Sequence, residues 1–439
     1  MLARNLATTT ISTAGNAALS AVAGIMLARI LGAELLGIYA LAILIPNTIY
    51  FLGTFGLSTA HIVYAGKYPE KRGAIAFQSF AFAAVIGLLV FAFYAYVITS
   101  QPAWFQRFLV VGRFNLVLAA FFVSLQLAAM CLRAGVQGAN RILVINISSL
   151  CVPLGRVLLI GILLWWLGLG VTGAIAAQLG CFCLELLYMS VATAVEVPIK
   201  TWRPDFAFFR KAFSLGFKVQ LNNVAWLLSR MVDRYMIAYL MPNSDRALGH
   251  YMVAAQFSIM LWVLPQSLQA VFLPHLSVTK SDKPTLAVRT VRILFIALLV
   301  ILLISAFAST LIPVILGRDY IEAVAPFLLF LPGIFLLGIT RPFDSYLTHI
   351  EKPMYAAVNS CIGAFVNIML NLYFIPRLGI GGAALASSMS SALIALMTAG
   401  CFKYETGLPL HVFIPRWSDF GAIFGVMRSF LQKSKLSGG

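Results

Sequence analysis

Long apolar stretches, broken only by short polar or Pro/Gly-rich punctuation, run along most of this chain. They give approximate spans at 8–30, 36–58, 74–99, 114–133, 142–166 and 171–192. A polar segment, Glu196-Val-Pro-Ile-Lys-Thr-Trp-Arg-Pro-Asp205, separates these from spans near 213–240, 248–275, 289–315, 323–346, 354–376 and 380–402. A membrane helix needs about 20 mostly apolar residues, and each stretch supplies them. The pattern predicts an all-α integral membrane protein of about 12 transmembrane helices in two six-helix bundles. The bundles are expected at 1–195 and 213–403, with a cytoplasmic linker over 196–212. The tail, 404–439, is short, apolar and flanked by charge, and reads as an amphipathic helix lying on the inner surface; the alternative, a thirteenth span, would place Lys433 and Lys435 outside. Ala7-Thr-Thr-Thr-Ile-Ser-Thr-Ala-Gly-Asn16 is too polar for a signal-peptide core and is expected to remain as part of the first helix.

Composition narrows the class. Apolar residues make up 61% of the 439 and charged residues 10%, with a mean hydropathy of +0.94. Soluble domains carry roughly 25% charged residues, so a water-soluble globule is excluded. A formal charge of +17 invites a nucleic-acid reading. That reading would need a basic, aromatic-interleaved soluble module, and the chain has none, so no nucleic-acid partner is expected. Placing the N-terminus in the cytoplasm puts 22 Lys and Arg on the inner side and 6 on the outer, with Arg156, Arg230 and Arg234 inside spans. That asymmetry orients the chain with both termini cytoplasmic. The six cysteines fall in or beside apolar stretches and read as small buried hydrophobes rather than a disulfide framework.

Internal repetition is the most informative signal, because transporters are often duplications with the substrate path between the halves. Leu36-Gly-Ile-Tyr-Ala-Leu-Ala42 returns 212 residues later as Leu248-Gly-His-Tyr-Met-Val-Ala254. Leu169-Gly-Val-Thr-Gly-Ala-Ile-Ala-Ala177 returns after 209 residues as Leu378-Gly-Ile-Gly-Gly-Ala-Ala-Leu-Ala386. An even number of spans per half leaves both halves in one orientation, so a pseudo-twofold along the membrane normal is expected.

Soluble-enzyme motifs are weak here. Gly168-Leu-Gly170-Val-Thr-Gly173 matches a dinucleotide fingerprint but lies between apolar spans, so it reads as a helix-to-helix turn. No phosphate-binding Lys loop occurs, Cys181-Phe-Cys183 lacks zinc-spaced partners, and no cofactor is expected. Ionisable residues within spans carry more weight, since each costs about 2.5–3.5 kcal/mol at a helix centre and is normally turned to protein or water. The seventh span is densest, with Asn222, Asn223, Arg230, Asp233 and Arg234. Asn223, Arg230 and Arg234 share one helical face, and Arg230 can pair with Asp233. Arg156 and Glu185 are expected to pair with each other, which favours a structural tie, and they stand with Arg230, Asp233, Arg234, Asn222, Asn223, Asn16, Arg29 and Asn47 as candidates for the substrate-binding cavity. Arg341 and Asp344 read as ordinary charge at a helix end. Thr9, Ser12, Thr13, Asn16 and Ser20 form a polar stripe on the first span, expected to face the bundle interior or a lumen. Asn47, Gln126, Gln178, Gln256, Gln266, Asn359, Asn367 and Asn371 extend that polar lining; inter-helix hydrogen bonds would use the same residues.

The hairpin Leu27-Ala-Arg-Ile-Leu-Gly-Ala-Glu-Leu-Leu-Gly-Ile-Tyr-Ala-Leu-Ala42 resembles the opening signature of polysaccharide flippases of the multidrug/oligosaccharidyl-lipid/polysaccharide exporter superfamily. Ser229-Arg-Met-Val-Asp-Arg-Tyr-Met-Ile-Ala-Tyr-Leu240, Leu248-Gly-His-Tyr251 and Asn371-Leu-Tyr-Phe-Ile-Pro-Arg-Leu-Gly-Ile-Gly-Gly-Ala-Ala-Leu-Ala386 are similar to its second-half signatures. The resemblance covers most of 1–403. It implies two six-helix bundles about a V-shaped cavity and alternating-access export of a polyprenyl-diphosphate-linked glycan across the inner membrane. The matching positions are Arg29, Asp233 and Gly249. The partners it implies are that glycan, the bilayer, and the polysaccharide polymerase and glycosyltransferases that act on the same glycan for O-antigen, capsule or exopolysaccharide. Many relatives reach fourteen spans, whereas this chain is expected to have twelve. Two readings stand beside it: a cation-coupled exporter of small organic molecules with the same broad fold, and a membrane glycosyltransferase or polymerase. The latter normally needs a sizeable extramembrane segment, and the longest external stretch lies around Ser100–Arg113.

Overall fold

The computed structural model describes residues 2–242, 244–266, 272 and 283–409, with side chains for all of these except 2–7, 10, 218–219 and 221–230. The described chain is helical throughout: α1 (Leu2–Gly53), α2 (Leu57–Lys67), α3 (Arg72–Ser100), α4 (Arg113–Gly138), α5 (Ile142–Ile160), α6 (Gly170–Glu196), α7 (Phe206–Leu240), α8 (Ser244–Leu261), α9 (Lys283–Ala308), α10 (Val324–Ile339), α11 (Arg341–His349) and α12 (Met354–Thr406). Among the described residues nine helical runs are long and apolar enough to cross a bilayer, and α7 is a further 35-residue helix. This is an all-α, multi-pass membrane fold. The amphipathic helix expected over 404–439 falls almost wholly outside the described residues, since α12 ends at Thr406 and description stops at 409.

Two helices are too long to be single spans. At about 1.5 Å per residue, the 53 residues of α12 would measure about 80 Å against a hydrocarbon core of about 30 Å. Each is broken at a glycine with positive φ: Gly32 (φ 72°) in α1 and Gly379 (φ 61°) in α12. Only glycine takes such a conformation without steric cost, so the sequence marks its own corners there. Gly168 and Gly170 (φ 64° and 53°) make the turn from α5 into α6, and the dinucleotide-like string is therefore a helix-to-helix turn.

The chain packs as two compact units, Met1–Met252 with Ile315–Tyr320, and Val253–Val314 with Ile321–Gly439. In the first, α1 packs on α5, α3 on α4, α4 on α6, and α2 on both α4 and α7. In the second, α10 packs along α12, and α9 against α10 and α11. Phe343 stacks on Phe402 at 4.2 Å in the second unit's core, beside Tyr346 and Val288. The boundary falls inside α8, whereas the sequence placed a linker at 196–212. The reason is local: α7 and the start of α8 are fastened to α1 by hydrogen bonds and by close backbone contacts. The linker is short and folded, with Trp202 stacked on Phe80 at 5.7 Å and Asp205 capping α7 by accepting the Phe208 N–H at 2.9 Å.

Candidate functional site

The second leg of α1 and helix α7 run together through the first unit. Thr48 hydrogen-bonds Tyr235 at 2.8 Å, Thr54 donates to Gln220 at 3.0 Å, and the Gln220 amide donates to the Phe51 carbonyl at 2.7 Å. On α7, Asp233 is buried and accepts a 2.7 Å hydrogen bond from Tyr251 of α8. Tyr251 is the tyrosine of the repeated Leu-Gly-x-Tyr string, so the motif delivers a hydroxyl to the one acidic residue of the seventh span. Arg234 is half-buried beside it, with Nε enclosed and without a hydrogen-bond partner. Asn222, Asn223 and Arg230 lie on α7, but their side chains are outside the described residues. Asn47 is half-buried on α1, and Arg29 is exposed just before the Gly32 corner.

At one end of the unit the two Leu-Gly-x-Tyr strings meet. A Cβ on Gly37 would fall on the Asp245 carbonyl oxygen, and a Cβ on Gly249 would fall on the Ala33 carbonyl oxygen. Each glycine therefore presses on the residue four positions before the other, a reciprocal contact that two copies of one motif make when they cross. Ion pairs surround it. Arg107 bonds Asp245 at 2.7 Å and also contacts Ser244; Arg246 bonds Asp319 at 2.5 Å; Asp319 accepts the Ala33 N–H at 3.0 Å. The longest expected external stretch, around Ser100–Arg113, contains a 3-10 helix, Ala103–Val111, whose Phe105, Phe108 and Val111 are buried. Their spacing of three matches the 3-10 repeat and was the sequence signal for it. Loops expected to share the outer side, around residues 32, 107, 245 and 319, are thus all gathered at this seam.

The opposite end gathers the loops expected on the inner side. Lys71 bonds Asp205 at 2.7 Å, Arg141 bonds Glu196 at 2.6 Å, and Gly73 lies against Thr201. The Asp205 carboxyl is held below its ordinary value by the Lys71 ammonium and then by the Phe208 N–H.

The pairing expected of Glu185 is corrected. Its partner is Arg133 on α4, at 3.0 Å, and Arg133 also donates to Ser149 at 2.5 Å. Arg156 is half-buried on α5 near Cys181, its Nε enclosed without a partner. Arg133 lies on α4, facing α5 and α6 together, and wins because it reaches Glu185 and the Ser148–Ser149 hydroxyls at once. The polar stripe of the first span is partly structural: Ser12 donates to Asn146 at 3.1 Å, and the Asn146 amide donates to Thr8 and Thr9 at 3.3 Å. Asn16 accepts from Ser20 within the same helix.

The second unit holds a charged cluster that the sequence reading treated as interface charge. Asp344 is buried, 3.5 Å from Arg341 and 3.5 Å from the Thr398 hydroxyl. The Arg341 guanidinium lies 4.7 Å from the centre of the Trp262 ring, a cation–π contact. Asn359 continues the network to Thr398 at 3.3 Å, while Asn371 donates to Asn367 at 3.0 Å and Asn367 donates to Ser390 at 3.4 Å, between the two legs of α12. The signal available in sequence was the Thr340–Pro342 break, which interrupts the helix and turns Arg341 and Asp344 inward.

Residues 2–280 match the family described as polysaccharide biosynthesis protein. The chain belongs to that family. Its fold is similar to that of solved MurJ and MATE transporters. A structure titled Lipid II flippase MurJ, inward closed conformation, aligns at 15% identity over 92% of this chain and 88% of that one, with a TM-score of 0.72. An inward-facing multidrug resistance MATE family transporter aligns at 13% identity over 89% and 94%, also at 0.72. The MATE transporter VcmN of Vibrio cholerae in its bent form aligns at 13% over 91% and 98%, at 0.55. No curated protein sequence is significantly similar to the chain. For this polysaccharide biosynthesis family member, then, the fold is that of a multi-pass membrane transporter.

Proposed function

We propose that this protein moves a polyprenyl-diphosphate-linked oligosaccharide across the inner membrane by alternating access, for assembly of a surface polysaccharide. Membership of the polysaccharide biosynthesis family supports the cargo class. The observation that carries the mechanism is the seam at Gly37 and Gly249. Backbone meets backbone there at two glycines with ion pairs beside it, a rigid contact that suits two discrete arrangements of α1 and α8 rather than a graded one. In this reading the chain has twelve spans in two related halves, with both termini cytoplasmic. Arg230 and Arg234 on α7 attract the diphosphate by charge-assisted hydrogen bonds, with Asn16, Asn47, Asn222 and Asn223 toward the sugar. Asp233, held by Tyr251, sets the position of α7, and no bond is made or broken.

The test is transfer of a fluorescent polyprenyl-diphosphate oligosaccharide in vesicles containing the full chain, beside transfer of a small organic cation. Glycan-lipid transfer without cation export supports the reading. The reverse would replace it with a small-molecule exporter, which the equal likeness to a MATE transporter and the buried Asp344 favour. Arg234→Ala should slow glycan-lipid transfer at matched protein abundance, and unchanged transfer would take Arg234 off the substrate path. Asp344→Asn should leave flipping intact, whereas an exporter coupled through this acid would lose activity.

A further inference from the structure

We propose that the cleft between Tyr64 of α2 and the first turns of α7 binds the phosphate group of an anionic lipid. The cleft holds about 460 Å3 and is lined by Tyr64, Ala207, Arg210, Lys211, Ser214 and Leu215. All six belong to the first compact unit, at the basic end described above.

Lys211 is held in place without a carboxylate. Its Nζ donates to the Tyr68 hydroxyl at 3.3 Å and lies 4.9 Å from the Tyr68 ring centre and 5.6 Å from that of Tyr64. Ring faces orient an ammonium but leave its charge uncompensated. The acid nearest in sequence, Asp205, is taken by Lys71 and by the Phe208 N–H. Among the described contacts Arg210 and Lys211 pair with no carboxylate, and Lys67 adds a further cation over the Tyr68 ring. An ordinary solvated basic face would show long side chains spread into water. Here an oriented ammonium, a guanidinium and the Ser214 hydroxyl surround one concavity.

Those donors suit phosphate oxygens: guanidinium gives paired bonds, ammonium a point charge, and the hydroxyl one more donor. The flanking residues point to a lipid as the carrier. Phe206 is 81% exposed and Phe217 is 45% exposed on the same helix, one on each side of the cations. Phe217 lies about two turns further along α7 than the cations, an apolar ring on the membrane side of a basic level, which is the order of acyl and headgroup layers at a bilayer interface.

The phosphate has two possible carriers, a bilayer phospholipid and a polyprenyl diphosphate, and the experiment separates them. The purified full chain is offered phosphatidylglycerol, undecaprenyl diphosphate, or diacylglycerol as a phosphate-free control, and bound lipid is counted by native mass spectrometry. Wild type should retain at least one phosphate lipid well above diacylglycerol. The Arg210→Gln, Lys211→Gln double variant should lose roughly tenfold in retention. A Lys200→Gln, Arg203→Gln variant removes the same charge from outside the cleft and should retain lipid as wild type does. Preference for phosphatidylglycerol makes the carrier a bilayer lipid; preference for undecaprenyl diphosphate makes it the isoprenoid. All four substituted residues are exposed, so thermal unfolding should match wild type and a retention change reports binding. Equal retention in the cleft variant and wild type, or equal loss in the two variants, would overturn the proposal.

Discussion

The two ends of the first compact unit are built from opposite materials. At the Gly37–Gly249 seam, backbone meets backbone, the neighbouring Leu36, Leu248 and His250 are buried, and Arg107 and Arg246 each have a carboxylate partner. At the other end the side chains are long and basic, the acids are few, and a cleft remains beside Arg210 and Lys211. A seam of glycine and carbonyl has little adaptability: it fits closed or it is parted. A rim of Lys, Arg and Tyr around a cleft leaves donors open to a ligand carried in from the bilayer. The difference separates a contact suited to two discrete states from a surface suited to recruitment.

The largest effect should come from adding one methyl group to the seam. Gly37→Ala or Gly249→Ala puts a Cβ on a carbonyl oxygen of the neighbouring helix, and backbone cannot rotate away as a side chain would. Overpacking of this kind costs about 1–3 kcal/mol, which shifts a closed-to-parted equilibrium by roughly 5- to 150-fold. Transport should fall accordingly while the protein remains in the membrane. Labelling of a cysteine introduced at Ser244, by a thiol reagent that cannot cross the bilayer, should rise. Wild-type transport and labelling in both glycine variants would show that the seam is not a working contact.

A smaller effect is expected at the edge of the seam. Arg107 and Asp245 remain 31% and 20% exposed, so water screens the pair and its net worth is about 1 kcal/mol or less. Arg107→Ala should raise cysteine labelling by severalfold at most, and Arg107→Ala with Asp245→Ala should add little to either change alone. A loss as large as that of Gly37→Ala would transfer the closing role from the glycines to the ion pair.

The legible and illegible parts of the chain divide by how far the interaction reaches. Helix corners were legible because Gly32, Gly170 and Gly379 satisfy a local backbone requirement. The importance of Gly37 and Gly249 was legible as repetition, but their mutual contact was not, since nothing local says that two strings 212 residues apart will cross. The failed pairing of Arg156 with Glu185 has the same origin: spacing along one helix says which residues share a face, not which neighbour that face meets. Arg133 won Glu185 from a third helix. The partners of Asn146, which are Ser12, Thr8 and Thr9, lie more than 130 residues away, so nothing in its own neighbourhood announces them. Asp344 was misjudged because a charge near a helix end is usually solvated, and here the Thr340–Pro342 break carries it into the second unit's interior.

The smallest effect, at the basic end, is a dependence on pH with a definite sign. Lys71 and the Phe208 N–H favour the charged form of Asp205, so its folded pKa lies below the unfolded value of about 3.9. A depressed carboxyl contributes stability that is fully present above the unfolded pKa and is lost as pH falls through that value toward the folded one. Between about pH 5 and 8 the pair should therefore add a constant increment, and below about pH 4 the increment should shrink. Lys71→Met isolates it. The difference in Tm between wild type and Lys71→Met, measured on the purified protein in detergent, should be small, level from pH 8 to pH 5, and smaller still at pH 3.5. The pair is solvent-facing, with Lys71 43% exposed, so added salt should reduce the difference at neutral pH as well. A difference that grew on acidification would mean that Asp205 gains its proton more readily in the folded state. The Lys71 contact would then not be what ties the linker to α3, and the Trp202–Phe80 stack, the Gly73–Thr201 contact and the Gln78 bond to the Asp205 carbonyl would carry that attachment.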